Sequence, residues 1–167
     1  EYIYAASLVR KKYPNTKFLL AGPIESKGNY ISQKDLNYWI SNKTIEYLGN
    51  LHNLENSFNE TRYAVLPTYY NEGMPRFLLE AMSCGKPIIS TINPGCIDIV
   101  TNEINGFLTN YRDYYMIAYY MERLINMSQK EIEAISNRNR DKAQKIFDVN
   151  LINSQLINFL NKIKWNT

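Results

Sequence analysis

The sequence is poor in the residues that bind metal ions. Its 167 residues contain one histidine, His52, and two cysteines, Cys84 and Cys96. A structural zinc site needs a full set of cysteine and histidine ligands, which these three side chains do not supply. Unpaired thiols fit a reducing compartment. We therefore expect no metal ion and a cytoplasmic location.

Long apolar runs and dense positive charge are also missing. No apolar run approaches the roughly 18 residues that predict a membrane-spanning helix. The formal net charge is only +3, and the basic residues form no long block. A domain that binds nucleic acid usually carries a basic patch or stripe. The sequence therefore predicts neither a spanning segment nor a nucleic-acid partner.

The composition is that of one globular domain, with 45% hydrophobic and 21% charged residues. Apolar runs of strand length alternate with helical patterns. Most runs are continuous rather than alternating, which is typical of parallel strands buried on both faces. The predicted strands are 17–22, 45–49, 63–68, 87–91 and 106–109, and the predicted helices are 2–12, 33–41, 53–61, 75–83 and 112–127.

This alternation predicts an α/β fold, a doubly wound, Rossmann-like parallel sheet formed by residues 1–167 as a single domain. Residues 128–167 read as purely helical, and Ser128 followed by Glu131 forms a capping-box pattern. The sequence is helical from residue 2, with no strand or cap before it. We therefore expect it to be part of a longer protein, with the first strand of the sheet outside it.

The stretch NEGMPRFLLE, residues 71–80, follows the predicted strand 63–68. Pro75 suits the first position of a helix, because its missing N–H would be unpaired there anyway. The turn before it would then lie at the carboxyl end of a strand, above a helix N-terminus. Ligands bind at this place in open α/β sheets.

The residue types around this turn fit a nucleotide joined to a sugar. The free backbone amides of Arg76 and Phe77, at the positive end of the helix dipole, suit a diphosphate. A carboxylate accepts two hydrogen bonds, so Glu80 suits the vicinal hydroxyls of a ribose. By the same reasoning, the sugar would meet the carboxylate of Glu72 and the amides of Gly73 and Met74.

A simpler interpretation accounts for the same two glutamates. Glu72 can complement the helix dipole, worth about 0.3–1 kcal/mol. Glu80 can pair with Arg76 four residues earlier, worth about 0.3–0.5 kcal/mol. The spacing of the glutamates alone does not decide between these interpretations.

Residues 66–109 as a whole are more specific. LPTYYNEGMPRFLLEAMSCGKPIISTINPGCIDIVTNEINGFLT contains two glutamates separated by seven residues, then EAMSCGKPII, a PGC turn and NGFL. This stretch resembles the donor-binding core of glycosyltransferase family 4, of the GT-B class. The order of elements from KFLLAG onward also agrees, so the resemblance covers nearly the whole chain. In detail, this stretch resembles the sequences of bacterial enzymes that build capsule, exopolysaccharide or O-antigen.

The resemblance implies a role for each site residue. Glu72 would contact the transferred sugar as the catalytic carboxylate, and Glu80 would bind the ribose. Tyr47, Leu48 and Gly49 would lie at the base, mainly through their backbone. The substrate would be a nucleotide-sugar, most simply a UDP-sugar, and no cofactor or metal is implied. The reaction would retain anomeric configuration and transfer a hexosyl or N-acetylhexosaminyl group to a surface polysaccharide or lipid-linked glycan.

The resemblance covers only the donor-binding half of such an enzyme. The acceptor would bind an N-terminal domain outside these residues, as would the basic side chains that meet the diphosphate. We therefore expect the 167 residues alone to transfer no sugar. The C-terminal stretch LINFLNKIKW, residues 156–165, predicts either a packed terminal helix or a peripheral contact with the inner face of the cytoplasmic membrane.

Two other functions stay open. A nucleotide-sugar 2-epimerase shares the GT-B architecture, but it needs acid–base residues that this stretch does not display. A non-catalytic nucleotide-binding or receiver-like α/β module is the third reading. Receivers need an acidic cluster after the first strands, and LLAG and YLGN provide none.

Overall fold

Short parallel strands alternate with helices along the chain. The computed structural model describes residues 1–24, 31–70 and 73–163. The strands are β1 (Leu19–Leu20), β2 (Glu46–Tyr47), β3 (Ala64–Leu66), β4 (Ile88–Thr91) and β5 (Gly106–Thr109). The helices are α1 (Tyr2–Lys12), α2 (Gln33–Ser41), α3 (Glu55–Asn59), α4 (Arg76–Ser83), α5 (Pro94–Ile99), α6 (Tyr114–Asn126), α7 (Gln129–Ile146) and α8 (Val149–Lys162).

Every predicted strand and helix exists, but most are shorter than predicted. The bounds of α1, α2 and β5 agree with the predicted bounds. Strand β1 keeps only two residues of the run 17–22. Helix α5 is absent from the predicted helices, because the sequence NPGC predicts a turn. Pro94 occupies one of its first positions, where proline is well tolerated.

The strands are parallel and form two sheets in the described part of the chain. Strand β1 pairs with β2, and β4 lies between β3 and β5. Each connection between successive strands contains a helix, as parallel pairing requires. The fold is the predicted Rossmann-like α/β arrangement, although its five described strands do not form one continuous sheet.

Both faces of the three-stranded sheet are covered. In β4, Ile88 packs into the apolar cluster that contains helices α4 and α5, whereas Ile89 packs into the cluster that contains α1 and α6. Both side chains are fully buried. Successive side chains of a strand point to opposite faces, so helices lie on both sides of this sheet. This double coverage explains why the strand sequences are continuously apolar.

The start of α4 differs by one residue from the prediction. Pro75 is the N-cap of this helix rather than its first helical residue, and its backbone is extended with φ −64° and ψ 118°. The fixed φ of proline suits either position. At the other end, Gly85 follows the C-cap with φ +70°, the left-handed conformation that commonly closes a helix.

The two last helices differ in how much they bury. Helix α7 begins with the predicted capping box between Ser128 and Glu131, and it packs against α4. Helix α8 buries none of its residues, and Val149 and Phe159 are 64% and 62% exposed. None of the helices described is both long and apolar enough to cross a membrane. Peripheral contact with a membrane through this region stays a prediction.

A buried amide network ties α7 to the sheet. Asn139 is fully buried, and its Nδ2 donates to the carbonyl oxygens of Lys86 and Asn105 at 2.8 and 2.9 Å. Its Oδ1 accepts from Asn105 Nδ2 at 2.8 Å. The Asn105 Oδ1 in turn accepts from the amide of Thr101 at 2.6 Å. Both asparagines therefore satisfy backbone groups that would otherwise be buried without partners.

We expect Asn139→Ala to lower the free energy of unfolding by about 2–4 kcal/mol, because it leaves several buried polar groups unpaired. Urea denaturation monitored by circular dichroism measures the change. The matched control is Asn137→Ala on the exposed side of the same helix. It should change the stability by less than about 0.5 kcal/mol. Equal effects of the two substitutions would show that the network contributes little.

Candidate functional site

The candidate site lies where the chain leaves β3 and enters α4. Gly73 and Met74 immediately precede the N-cap Pro75, and both are exposed. Within the described part of the chain, these two residues are therefore accessible to a ligand. Glu72, the predicted catalytic carboxylate, lies outside the described residues. Its role stays a prediction.

The N-terminus of α4 has unused backbone donors. The first backbone hydrogen bonds of the helix are donated by Leu78 and Leu79 to the Pro75 oxygen, at 3.0 and 3.3 Å. No side chain in the described part of the chain caps the helix. The amides of Arg76 and Phe77 belong to the first turn, whose N–H groups have no partner inside a helix. Their position at the positive end of the helix dipole suits an anion.

The side chain of Phe77 faces inward. Its ring lies 5.5 Å from that of Phe58, centroid to centroid, and it packs against the apolar cluster beneath α4. The predicted phosphate contact at this position concerns the backbone amide alone. The packing of the ring anchors the first turn and holds that amide in place.

Glu80 is half-buried and already has a partner. Its Oε1 accepts from Arg76 Nε at 2.6 Å, the i,i+4 pair that the simpler interpretation of the sequence proposed. The Arg76 side chain is 86% exposed. Exposed pairs of this kind contribute about 0.3–0.5 kcal/mol. A pair this weak can open when a ligand offers better hydrogen bonds.

Glu80 lies on the wall of a cleft of about 650 Å³, a volume within the usual range of small-molecule sites. Arg76 lies on the same wall. The loop before α3 forms the opposite side, and Arg140 of α7 closes one end. The rest of the lining was not predicted as part of a site from the sequence; it consists of His52, Asn53, Leu54, Glu55, Phe58, Asn59, Ser83, Cys84 and Arg140.

The predicted base-binding stretch has a structural role of its own. The Tyr47 hydroxyl donates to the Gly22 oxygen at 2.6 Å, and the Gly22 amide donates to the Gly49 oxygen at 2.9 Å. The amide of Leu48 donates to Leu20. These bonds fasten together the loops that leave β1 and β2. Residues 47–49 do not line the cleft beside Glu80, whereas the following loop, 52–54, and the start of α3 do.

A row of side chains from the end of β4 supports the segment that leads to the exposed turn. Ser90 Oγ donates to the Leu66 oxygen at 2.8 Å, and Thr91 Oγ1 donates to the Thr68 oxygen. Both side chains are buried. Neither residue was predicted to have a role from the sequence. The only signal was a pair of hydroxyl residues closing an otherwise apolar strand.

No metal centre is evident in residues 1–24, 31–70 and 73–163, where no group of three or more histidine, cysteine or acidic side chains converges. The one histidine, His52, is exposed at the edge of the cleft. The expectation that the reaction needs no metal stays a prediction.

Comparison with known proteins identifies the family. Residues 1–142 match the family model described as glycosyl transferases group 1. The chain belongs to this family. This match confirms the family resemblance that the motifs of residues 66–109 predicted.

Two curated relatives are named as sugar transferases. The capsular polysaccharide biosynthesis glycosyltransferase CapM of Staphylococcus aureus is 27% identical over 161 residues, which cover 96% of this chain and 42% of that protein. The UDP-Gal:alpha-D-GlcNAc-diphosphoundecaprenol alpha-1,3-galactosyltransferase of Escherichia coli is 31% identical over 153 residues, which cover 89% of this chain and 36% of that protein. This chain thus spans less than half the length of these relatives.

A solved structure supports the fold. A mutant of TarM from Staphylococcus aureus, in complex with Fondaparinux, alpha-GlcNAc-glycerol and UDP, superimposes with a TM-score of 0.81 at 19% identity. The match covers 96% of this group 1 chain and 32% of TarM. At this identity the likeness concerns the fold.

Proposed function

We propose that this chain is the donor-binding part of a retaining glycosyltransferase that uses a UDP-sugar. The observation that carries the proposal is the exposed Gly73–Met74 turn on the N-terminus of α4, beside a cleft that Glu80 lines. A diphosphate suits the amides of Arg76 and Phe77. The ribose then extends along the helix toward Glu80, and the sugar lies at the turn. One curated relative is named for UDP-Gal, and the matched TarM structure contains UDP; both support this choice of donor.

The chemistry follows from where charge develops. As the bond between sugar and diphosphate breaks, negative charge grows on the leaving group. Backbone amides that already point at that charge stabilise the transition state without reorganising. Glu72 and the amides of Gly73 and Met74 hold the sugar hydroxyls, so that the reacting carbon is presented to the acceptor. The acceptor is a growing polysaccharide or lipid-linked glycan, bound by a part of the protein outside these residues.

The lipid-linked acceptor also gives the proposed location. The Escherichia coli relative is named for a diphosphoundecaprenol-linked substrate. We place the protein in the cytoplasm, where nucleotide-sugars are made, at the inner face of the cytoplasmic membrane. Any contact with that membrane is peripheral, through the exposed apolar side chains of α8.

The test uses the full-length protein with UDP-, GDP- and ADP-sugars, following thermal shift and released nucleotide. We expect UDP-sugars to raise the melting temperature and to release UDP when a lipid-linked acceptor is present. No response to any nucleotide-sugar would contradict the proposal. Epimerisation of a UDP-sugar without acceptor would favour the 2-epimerase instead.

Glu80→Gln tests the ribose contact directly. We expect it to weaken UDP binding about 10-fold, equivalent to 1.4 kcal/mol, because a neutral amide accepts weaker hydrogen bonds from the ribose hydroxyls. Isothermal titration with UDP and 2′-deoxy-UDP measures the effect. The wild type should prefer UDP, and the variant should lose most of that preference.

The matched control is Glu103→Gln, which breaks a comparable exposed ion pair between Glu103 and Arg123, 3.0 Å long. It should leave both affinities unchanged. If Glu80 serves only its pair with Arg76, then Glu80→Gln will behave like this control, and the ribose assignment is wrong.

A further inference from the structure

Asn93 makes an unusual hydrogen bond at the carboxyl end of β4. It is 1% exposed, and its Nδ2 donates to the backbone oxygen of Tyr70 at 2.6 Å. A carbonyl oxygen can only accept, so the bond requires the amide nitrogen of Asn93 on that side. The side-chain oxygen must therefore point elsewhere.

That orientation costs the protein two favourable interactions. Asn93 is the N-cap of α5, a position where an asparagine oxygen normally accepts from the first turn and contributes about 1 kcal/mol. Here no side-chain cap forms in the described structure. Asn93 Oδ1 is instead buried, with no hydrogen-bond partner among the residues that the structure describes. Local rules of this kind are usually broken where function requires it.

The bond to Tyr70 completes a regular series. Ser90, Thr91 and Asn93 donate in turn to the oxygens of Leu66, Thr68 and Tyr70. Alternate carbonyls of the segment leaving β3 are thus held by side chains from the end of β4. Asn93 makes the last of these contacts, and Tyr70 lies three residues before Gly73.

We propose that Asn93 is a positioning residue for the donor site. Its amide holds Tyr70, and so fixes the entry of the turn whose Gly73 and Met74 amides meet the sugar. The missing side-chain cap of α5 and the buried Asn93 Oδ1 both destabilise the fold, and the hydrogen bond to Tyr70 requires them. This inference rests on the proposed function, because the turn matters only if it binds the donor.

The test is Asn93→Ser in the full-length protein. The serine side chain is one bond shorter, so it does not reach Tyr70, but serine is a good N-cap and can cap α5. We expect a melting temperature equal to or above that of the wild type. Binding of UDP-glucose should weaken about 10-fold, and amide hydrogen exchange over residues 68–75 should become faster.

Ser90→Ala is the matched control, since it removes the same kind of bond at the first position of the series. Leu66 lies within β3, so this loss acts on the strand and not on the turn. We expect a lower melting temperature with unchanged UDP-glucose affinity. Asn93→Ser should lose affinity without losing stability, and Ser90→Ala should lose stability without losing affinity. This difference distinguishes a positioning role from general stabilisation.

Three results would overturn the inference. The inference is excluded if amide hydrogen exchange over residues 68–75 is as slow in Asn93→Ser as in the wild type. It is also excluded if the affinity for UDP-glucose is unchanged. A loss of melting temperature that accounts for the weaker binding would assign Asn93 a structural role only. If the wild type binds no nucleotide-sugar, the proposed function fails, and the exchange measurement alone decides whether Asn93 holds the turn. Asn93→Ala repeats each measurement if the serine variant does not fold.

Discussion

Glu72→Gln is expected to lower kcat/KM for sugar transfer by roughly 100-fold, equivalent to about 2.7 kcal/mol. The substitution keeps the size of the side chain and removes the charge that strengthens hydrogen bonds to the sugar hydroxyls. Hydrogen bonds to charged groups contribute about 1.5–3 kcal/mol, so the loss of one or two accounts for the effect. UDP release by the full-length protein, with a UDP-sugar and a lipid-linked acceptor, measures it.

Two further measurements separate this loss from other causes. Binding of UDP without a sugar should be nearly unchanged in Glu72→Gln, because we propose that the nucleotide binds at α4 and Glu80 instead. Glu133→Gln serves as control, since Glu133 is an exposed residue of α7 that pairs with Gln129. It should transfer sugar at the wild-type rate. If Glu72→Gln also keeps that rate, Glu72 has no catalytic role.

Gly106→Ala is expected to destabilise the protein by about 3 kcal/mol or more, at the upper end of the range for overpacking. A Cβ atom at this position would overlap the backbone oxygen of Ile88 in the neighbouring strand and would lie 3.0 Å from Val100 Cγ1. Neither β4 nor β5 can move apart without breaking their parallel pairing. Thermal and urea denaturation measure the loss.

Gly73→Ala provides the comparison for stability. A Cβ atom at Gly73 would meet nothing within 4 Å in the described structure. Its melting temperature should lie close to that of the wild type. A similarly stable Gly106→Ala would mean that the β4–β5 spacing relaxes easily, contrary to the close packing of both sheet faces.

The exposed turn and its helix were predictable because their signals are local. Pro75 and Gly85 limit α4 through their own backbone preferences. The amides of Arg76 and Phe77 follow from being in the first turn of any helix. The pair between Arg76 and Glu80 follows from their i,i+4 spacing. Each of these features depends on neighbours within about one turn of helix.

The cleft and the support of the turn were not predictable, because their residues meet only in the folded chain. Arg140 reaches the cleft from α7, far along the sequence from Glu80. Asn93 and Tyr70 are joined only because β4 lies beside β3. Nothing in the composition of STINP marks its asparagine as a donor to a backbone carbonyl. The hydrogen bond from the Tyr47 hydroxyl to Gly22 was likewise not predictable, and the assignment of residues 47–49 to the base stays a prediction.

By itself, the sequence determined the α/β class, the order of the strands and of the helices between them except α5, the family resemblance and the position of the open turn. Continuous apolar runs that alternate with helical patterns, together with local capping residues, carry that information, because their effects extend over only a few residues. Only the tertiary structure decided how the strands divide between two sheets, which side chains line the cleft, and that β4 supports the turn. Those features depend on contacts between segments that are distant in the chain. Such contacts form only when the chain folds and the helices pack on both faces of the sheet.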